Sequence, residues 1–470
     1  MTDKNNSLEN NILGYERILK LLYKFSVPAI IGMLVSALYN VVDRIYIGNS
    51  PDLGANGLAA LTICFPAMII MMSTGILFGQ GGATLFSINL GRKNYEKADR
   101  VLGNATALLI IFGLLITIFG QIFLDKLLIW FGASPAILPH AKEYMRIILI
   151  GTVFQVISMG MNNFLRADGK PKMSMVTMLV SAGLNVILDP IFIYAFRMGM
   201  SGAAIATITS QFVSMVWSIH HFLKRGALHR IQLRYMKLDR SLALEITSLG
   251  MPGFLIQLFS SILNLILNNA LITYGGDIAV SGMGIVTSLA TLLVLPVIGL
   301  NQGLQPIVSF NYGARNYDRV NKAARLSIMV ASCMTTFGFI LIRTIPVLLV
   351  SMFNRDKELV AFSVHALQTW LMFLPFLGFQ IIGANFFQAI GRPKRAMFLT
   401  LLRQVLILIP SILILSRLFG LNGILYAAPL ADLSATIVTG ILFFTFTNRM
   451  VNQAKKEGSM SNNVGDNLNQ

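Results

Sequence analysis

The chain has 470 residues, 55% of them hydrophobic and 12% charged, with a net charge of +17. Soluble domains average roughly 25% charged residues, and no soluble core of this size has room for so much apolar surface, whereas a bilayer supplies an apolar solvent. Strands are excluded as the spanning element, because open sheet edges go unsatisfied in lipid and a barrel needs short alternating segments that this chain lacks.

The first 23 residues are polar and mixed, with no signal-peptide pattern, and residues 1–24 are expected to form a cytoplasmic N-terminal segment. A first spanning helix is expected at about 25–48, long enough for the roughly 20 apolar residues that a span requires. Ser36, Asn40 and Asp43 recur on it at i, i+4 and i+7 and so share one face. A charge at the bilayer centre costs about 2.5–3.5 kcal/mol on insertion scales, which makes an intramembrane acid a functional candidate. Asp43 also abuts Arg44, so a local ion pair at the interface stands as the alternative.

Helices follow at about 55–84, 101–124, 141–165, 173–196 and 201–223. On the fifth, Ser181, Asn185 and Asp189 form a polar stripe at i, i+4 and i+8, and Pro190 follows directly. Proline frees a carbonyl of the preceding turn, which bends the helix or offers an oxygen to an ion. Thr207 on the sixth helix adds a hydroxyl. Carboxylates, an amide and hydroxyls are hard oxygen ligands, suited to sodium or to a shared proton.

A basic linker over 224–242 is expected to join a six-helix N-terminal lobe (25–223) to a six-helix C-terminal lobe (243–447), followed by a polar cytoplasmic tail (448–470). The second set of helices is expected at 243–273, 279–309, 326–349, 359–388, 396–416 and 421–447. The seventh carries Ser260, Asn264 and Asn268 spaced by four, amides that bridge helices or line a cavity. Arg403 on the eleventh pairs with an intramembrane acid or snorkels, and Asp432 on the twelfth is a packing contact or faces a cavity. Cys64 and Cys333 lie in apolar stretches and are expected to be small buried hydrophobes. The five histidines show no metal spacing, and no phosphate-binding glycine loop or nucleophile motif occurs, which leaves an ATP-driven pump or a membrane enzyme unsupported.

With the N-terminus placed in the cytoplasm, 27 Lys and Arg residues fall inside and 8 outside, and only Arg44 and Arg403 lie within helices. Over short loops this bias sets the orientation, both termini inside, and accounts for the net charge without nucleic acid. The stretch Gln80-Gly81 … Asn89-Leu90-Gly91-Arg92-Lys93-Asn94-Tyr95 recurs as Gln302-Gly303 … Asn311-Tyr312-Gly313-Ala314-Arg315-Asn316-Tyr317, at an offset of 222. Asn163-Phe164 … Gly169-Lys170-Pro171-Lys172 recurs as Asn385-Phe386 … Gly391-Arg392-Pro393-Lys394 at the same offset of 222. Two separated matches at one offset indicate duplication. An even number of helices between copies makes the repeat parallel, with its axis along the membrane normal. The fold class expected is therefore all-α, with twelve transmembrane helices in two six-helix lobes.

The run Ala37-Leu38-Tyr39-Asn40-Val41-Val42-Asp43-Arg44-Ile45-Tyr46-Ile47-Gly48 resembles the first-helix motif of multidrug and toxic compound extrusion (MATE) transporters. Gly183-Leu184-Asn185-Val186-Ile187-Leu188-Asp189-Pro190 resembles the fifth-helix motif of their bacterial DinF- and MepA-like branch, and the doubled loops resemble that family too. The similarity covers about residues 15–450. The resemblance implies an antiporter that exports organic, mostly cationic and amphipathic compounds in exchange for sodium or protons, with no other cofactor. It assigns the cation site to Asp43, Asn185 and Asp189, with Thr207 as a matching sixth-helix threonine. A second branch of the family uses acids on the seventh and eighth helices; here the seventh carries amides instead. Ser36, Asn40, Ser181, Asn264, Asn268, Arg403 and Asp432 stand as candidates for the substrate cavity. The expected partners are drug-like small molecules and the lipid bilayer, the expected state is a monomer, and the expected location is the inner cell membrane. A flippase for lipid-linked sugars and a passive channel are the rival readings.

Overall fold

The computed structural model describes residues 11–50, 53–224 and 228–468, with side chains as far as Met450. The start of the expected N-terminal segment (1–10), the outer turn at 51–52, residues 225–227 of the expected linker, residues 469–470 and the side chains of the expected tail beyond Met450 lie outside the described residues.

Among the described residues every regular element is helical. The first six spans are α1 (Ile18–Gly48), α2 (Gly54–Gly91), α3 (Tyr95–Ile122), α4 (Leu138–Ala167), α5 (Pro171–Pro190, continued by a π turn over Ile191–Ala195) and α6 (Gly199–Leu223). A continuous helical stretch, Arg240–Gly313, breaks at Gly276 into α7 (240–275) and α8 (277–313). Next come α9 (Tyr317–Thr344) and α10, whose halves Lys357–Trp370 and Leu374–Ala389 meet at a bend of 49°. The last stretch opens with Pro393–Leu401 and a π segment over Leu402–Leu408, and breaks at Gly420 into α11 (393–419) and α12 (421–468). The described residues thus make twelve spans, as the hydropathy pattern predicts.

The two breaks have a local cause. Gly276 sits at φ 63°, ψ −161° and Gly420 at φ 58°, ψ −135°, backbone regions that side chains exclude. One glycine therefore reverses the chain where a longer connection would otherwise be needed. On the basic side the helices run further than expected: α2 continues to Gly91 and α3 starts at Tyr95, so the loop shrinks to three residues. Asn94 caps α3 there, its side chain accepting from the Lys97 amide at 3.1 Å. The basic residues read as loops are in large part helix ends, because a helix stays hydrogen-bonded after it leaves the hydrocarbon.

Contacts group Tyr23–Ser261, with the segment ending at Tyr15, into one compact unit, and Glu16–Leu22 with the residues from Ile262 on into a second. The described residues of the expected linker 224–242 belong to the first unit. Asn104 holds it there: its Nδ2 donates to the Tyr235 carbonyl at 2.9 Å, and its Oδ1 accepts from the Asp239 amide at 2.8 Å. In the first unit α2 and α4 pack through small residues, and a Cβ on Gly79 would stand 2.5 Å from the Gly160 Cα. A core around Cys64, Met71, Tyr144, Met145 and Met200 fills that unit. A second core around Leu271, Val286, Leu367, Leu374 and Leu425 fills the other.

One expectation is corrected. Cys64 is buried, but Cys333 is exposed, on a face of α9 that also bears Met329, Phe337 and Ile340. With lipid as the surrounding solvent, outward exposure costs an apolar thiol nothing, so an apolar setting in sequence does not imply burial in protein.

Candidate cation site

The polar stripe of α5 turns into the first unit. Asn185 is 2% and Asp189 0% exposed. The Asn185 Nδ2 donates to Asp189 Oδ1 at 3.3 Å and to Thr207 Oγ1 of α6 at 3.4 Å. Thr207 donates in turn to the Ala203 carbonyl one turn back at 3.0 Å. Pro190 has no N–H to continue the ladder, and the helix slips into the π turn over Ile191–Ala195 directly after Asp189. Such π turns recur at functional sites.

Asp43 of α1 completes the group, its carboxyl lying within hydrogen-bonding reach of that of Asp189. Two ionised carboxylates are both acceptors, so nothing in the pair itself satisfies the contact. Among the described residues, the buried oxygens Asp43 Oδ1, Asn185 Oδ1 and Asp189 Oδ2 have no hydrogen-bond donor. Arg44 is exposed and forms no salt bridge with Asp43 among the described residues, although it lies close enough to act electrostatically on that carboxyl. Three buried acceptors lie together without a donor among the described residues, each costing roughly 1–3 kcal/mol if left so, an arrangement whose chemistry suits a positive charge.

Two tyrosines escaped the sequence reading. Tyr39, one turn before Asp43, and Tyr144 of α4, 2% exposed, both lie close enough to interact electrostatically with Asp43 and Asp189. Tyr39 stands four residues before Asp43, a spacing that marks it; Tyr144 carries no signal, since an aromatic near the end of an apolar helix reads as an ordinary core or interface residue.

The remaining candidates share no hydrogen bond with this cluster among the described residues. Ser36 is half-buried; Asn40 is exposed and donates back to the Ser36 carbonyl of its own helix at 2.7 Å. Ser181 is half-buried two turns before Asp189. Ser260 donates to the Ile256 carbonyl at 2.7 Å, while Asn264 and Asn268 are exposed and bridge no pair of described helices. In the second unit Arg403 and Asp432 meet: Arg403 Nε donates to Asp432 Oδ1 at 2.6 Å, with Asp432 3% exposed. Arg403 lies within the π segment Leu402–Leu408.

The family model described as MatE matches this chain twice, over residues 28–191 and again over 252–414. The chain belongs to the MatE family. The doubled match agrees with the internal repeat, one copy of the MatE unit in each half. The Staphylococcus aureus (strain MSSA476) multidrug export protein MepA is 28% identical over 433 residues, covering 92% of this chain and 95% of MepA. A crystal structure of MATE in complex with MaD3S superposes with a TM-score of 0.88 at 27% identity, covering 94% of this chain and 98% of that one. The outward-facing structure of a multidrug resistance MATE family transporter gives 0.86 at 28% identity, over 92% and 96% of the two chains. MatE proteins are transporters, and the many apolar helices make this one a multi-pass membrane protein.

Proposed function

We propose that this protein is a multidrug efflux antiporter, exporting organic, mostly cationic and amphipathic compounds in exchange for protons or sodium bound at Asp43, Asn185, Asp189 and Thr207. The observation that carries the reading is the set of three donorless buried oxygens on Asp43, Asn185 and Asp189. The names of the similar MepA and multidrug resistance transporters support the export of drug-like compounds. A proton on the facing carboxyls, or a sodium ion among the four side chains, neutralises the site. The neutral and charged forms then favour different helix arrangements, and the ion shifts that equilibrium by its differential affinity for the two. Both termini are assigned to the cytoplasm and the chain to the cell membrane on the 27-to-8 division of Lys and Arg. The protein acts as a monomer with no further cofactor.

Arg44 and Arg403 are the two cations that the sequence places inside the expected spans, and Arg403 is engaged by Asp432, which leaves little there to hold the pyrophosphate of a lipid-linked sugar. The test is transport in liposomes with imposed sodium and pH gradients across a panel of cationic dyes. Uphill efflux driven by either gradient is the expected result. Flux that ignores both gradients rejects antiport, and flux of a lipid pyrophosphate instead of the dyes rejects the substrate class.

A further inference from the structure

On the outer face of α9 lies a groove of about 400 Å³, lined among the described residues by Asp318, Asn321, Lys322, Arg325, Leu326 and Met329. These recur at helical spacing, so one face of one helix changes from polar to apolar within about 17 Å at 1.5 Å per residue. Exposed Cys333, Phe337 and Ile340 continue the apolar row beyond Met329. Neighbouring cations behave differently. Arg319, on the same helix, is committed inward: its Nε donates to Asn311 Oδ1 at 2.9 Å and its Nη2 to the Glu16 carbonyl at 2.7 Å. Lys322 and Arg325 are exposed and make no ion pair with any described residue. Asn321 Oδ1 is buried with no donor among the described residues.

We propose that this groove is a binding site for one phospholipid, with its phosphate on Lys322 and Arg325, its headgroup hydroxyls on Asn321 and Asp318, and its acyl chains along Met329, Cys333 and Phe337. The charge sequence along the helix fits this occupant and excludes a soluble one: two uncommitted cations sit where the apolar row begins, the level at which a bilayer places phosphate. The donorless Asn321 oxygen and the Asp318 carboxylate add a requirement. They call for a headgroup that donates hydrogen bonds, so phosphatidylglycerol fits and phosphatidylcholine, with the same phosphate but no donor, does not. Asp318 lies a full turn towards the aqueous end from Lys322, where it meets the headgroup rather than the phosphate.

Native mass spectrometry of the full-length protein in detergent, titrated with phosphatidylglycerol, tests the site. Lys322→Gln with Arg325→Gln is expected to weaken retention of the first lipid about 30-fold, since each cation at an anionic surface contributes roughly the same increment. The control, Arg92→Gln with Lys172→Gln, removes two other exposed cations and is expected to change retention less than twofold. Asn321→Leu is expected to narrow the preference for phosphatidylglycerol over phosphatidylcholine without abolishing binding of either. Equal losses in the two charge-removal variants mean that net charge alone attracts lipid, and overturn the site. Unchanged retention in the Lys322/Arg325 variant does the same. Competition by glycerol 3-phosphate reveals a soluble anion site instead. Strong retention only in a chain ending at Met450 means that the chain's own last segment occupies the groove.

Discussion

The two units handle buried charge in opposite ways. In the first, Asp43 and Asp189 face one another with Asn185 beside them, and three oxygens lack a donor. In the second, Asp432 is closed by Arg403 at 2.6 Å. Both groups sit at a π irregularity of a corresponding helix, Ile191–Ala195 in α5 and Leu402–Leu408 in α11. The repeat register that aligns Pro171 with Pro393 pairs Arg403 with Ser181, two turns before Asp189. One ancestral helix thus carries an open negative site in one copy and a self-neutralised pair in the other. Under the proposed antiport, an open site would exchange its counter-ion with solvent, whereas a closed pair carries its own.

The largest expected effect tests the open site. Asp189→Asn keeps the shape and removes a buried charge, so a structural acid tolerates it, whereas a coupling acid loses the ability to take up and release an ion. Gradient-driven dye export is expected to fall by at least about 100-fold, with normal insertion and thermal stability. Asp43→Asn is expected to match it, and the double variant to be little worse than either, because groups acting as a unit are not additive. Wild-type uphill export by Asp189→Asn would show that the open site is not the engine and move attention to Asp432.

The closed pair is expected to report on stability more than on transport. Arg403→Leu strands the buried Asp432 carboxylate, and breaking a buried pair costs about 3–5 kcal/mol. The low end applies here, because the Arg403 side chain is 30% exposed. Adding Asp432→Leu is expected to restore most of the loss in the detergent-solubilised melting temperature. If the double variant stays folded yet stops exporting, the second unit also holds working charge and the contrast between units fails.

The four members of the open site were legible because each signal lies along one helix or in one motif: a four-residue spacing joins Asn185 to Asp189, and an acid in an apolar run marks Asp43. What was not legible depends on how helices face one another. Tyr144 acts on the site electrostatically from α4, a direction no periodicity on α1 or α5 encodes. Asn264 and Asn268 have the same four-residue spacing as the α5 stripe but are exposed, since spacing defines a face without saying what covers it. Cys333 fails likewise, because apolar sequence fits lipid and protein equally well. The twelve spans emerged from hydropathy, while the glycine breaks at 276 and 420 did not, as a single left-handed residue leaves almost no trace in composition.

Those breaks extend the contrast to the backbone. In the first unit, connections of several residues lead from α1 to α2 and from α5 to α6; in the second, a single glycine serves at each corresponding corner. Gly276→Ala is expected to cost about 1–3 kcal/mol, the usual penalty for a side chain in a glycine-only region. Nothing lies within 4 Å of the position a Cβ would take, so the cost is backbone strain without a clash. Thermal melting in detergent measures it. A neutral result would mean that the corner relaxes freely and that the short connection imposes no constraint.

The smallest effect discriminates the coupling ion. Thr207 gives the open site a hydroxyl rather than a charge: its Oγ1 donates to the Ala203 carbonyl and accepts from Asn185. Thr207→Val keeps the volume and removes that oxygen. A proton on the Asp43–Asp189 pair needs only the carboxyls, so the pH profile of export should move little. A sodium ion needs several oxygens, and losing one neutral ligand, worth about 1 kcal/mol on the scale of a hydrogen bond, should raise the sodium concentration for half-maximal export about fivefold. Thr207→Val is expected to leave maximal export within about twofold, far milder than Asp189→Asn, with the sodium dependence or the pH profile naming the ion. Export lost as completely as in Asp189→Asn would show that the site works by ligand geometry rather than by open charge, and would remove the basis on which the two units were distinguished.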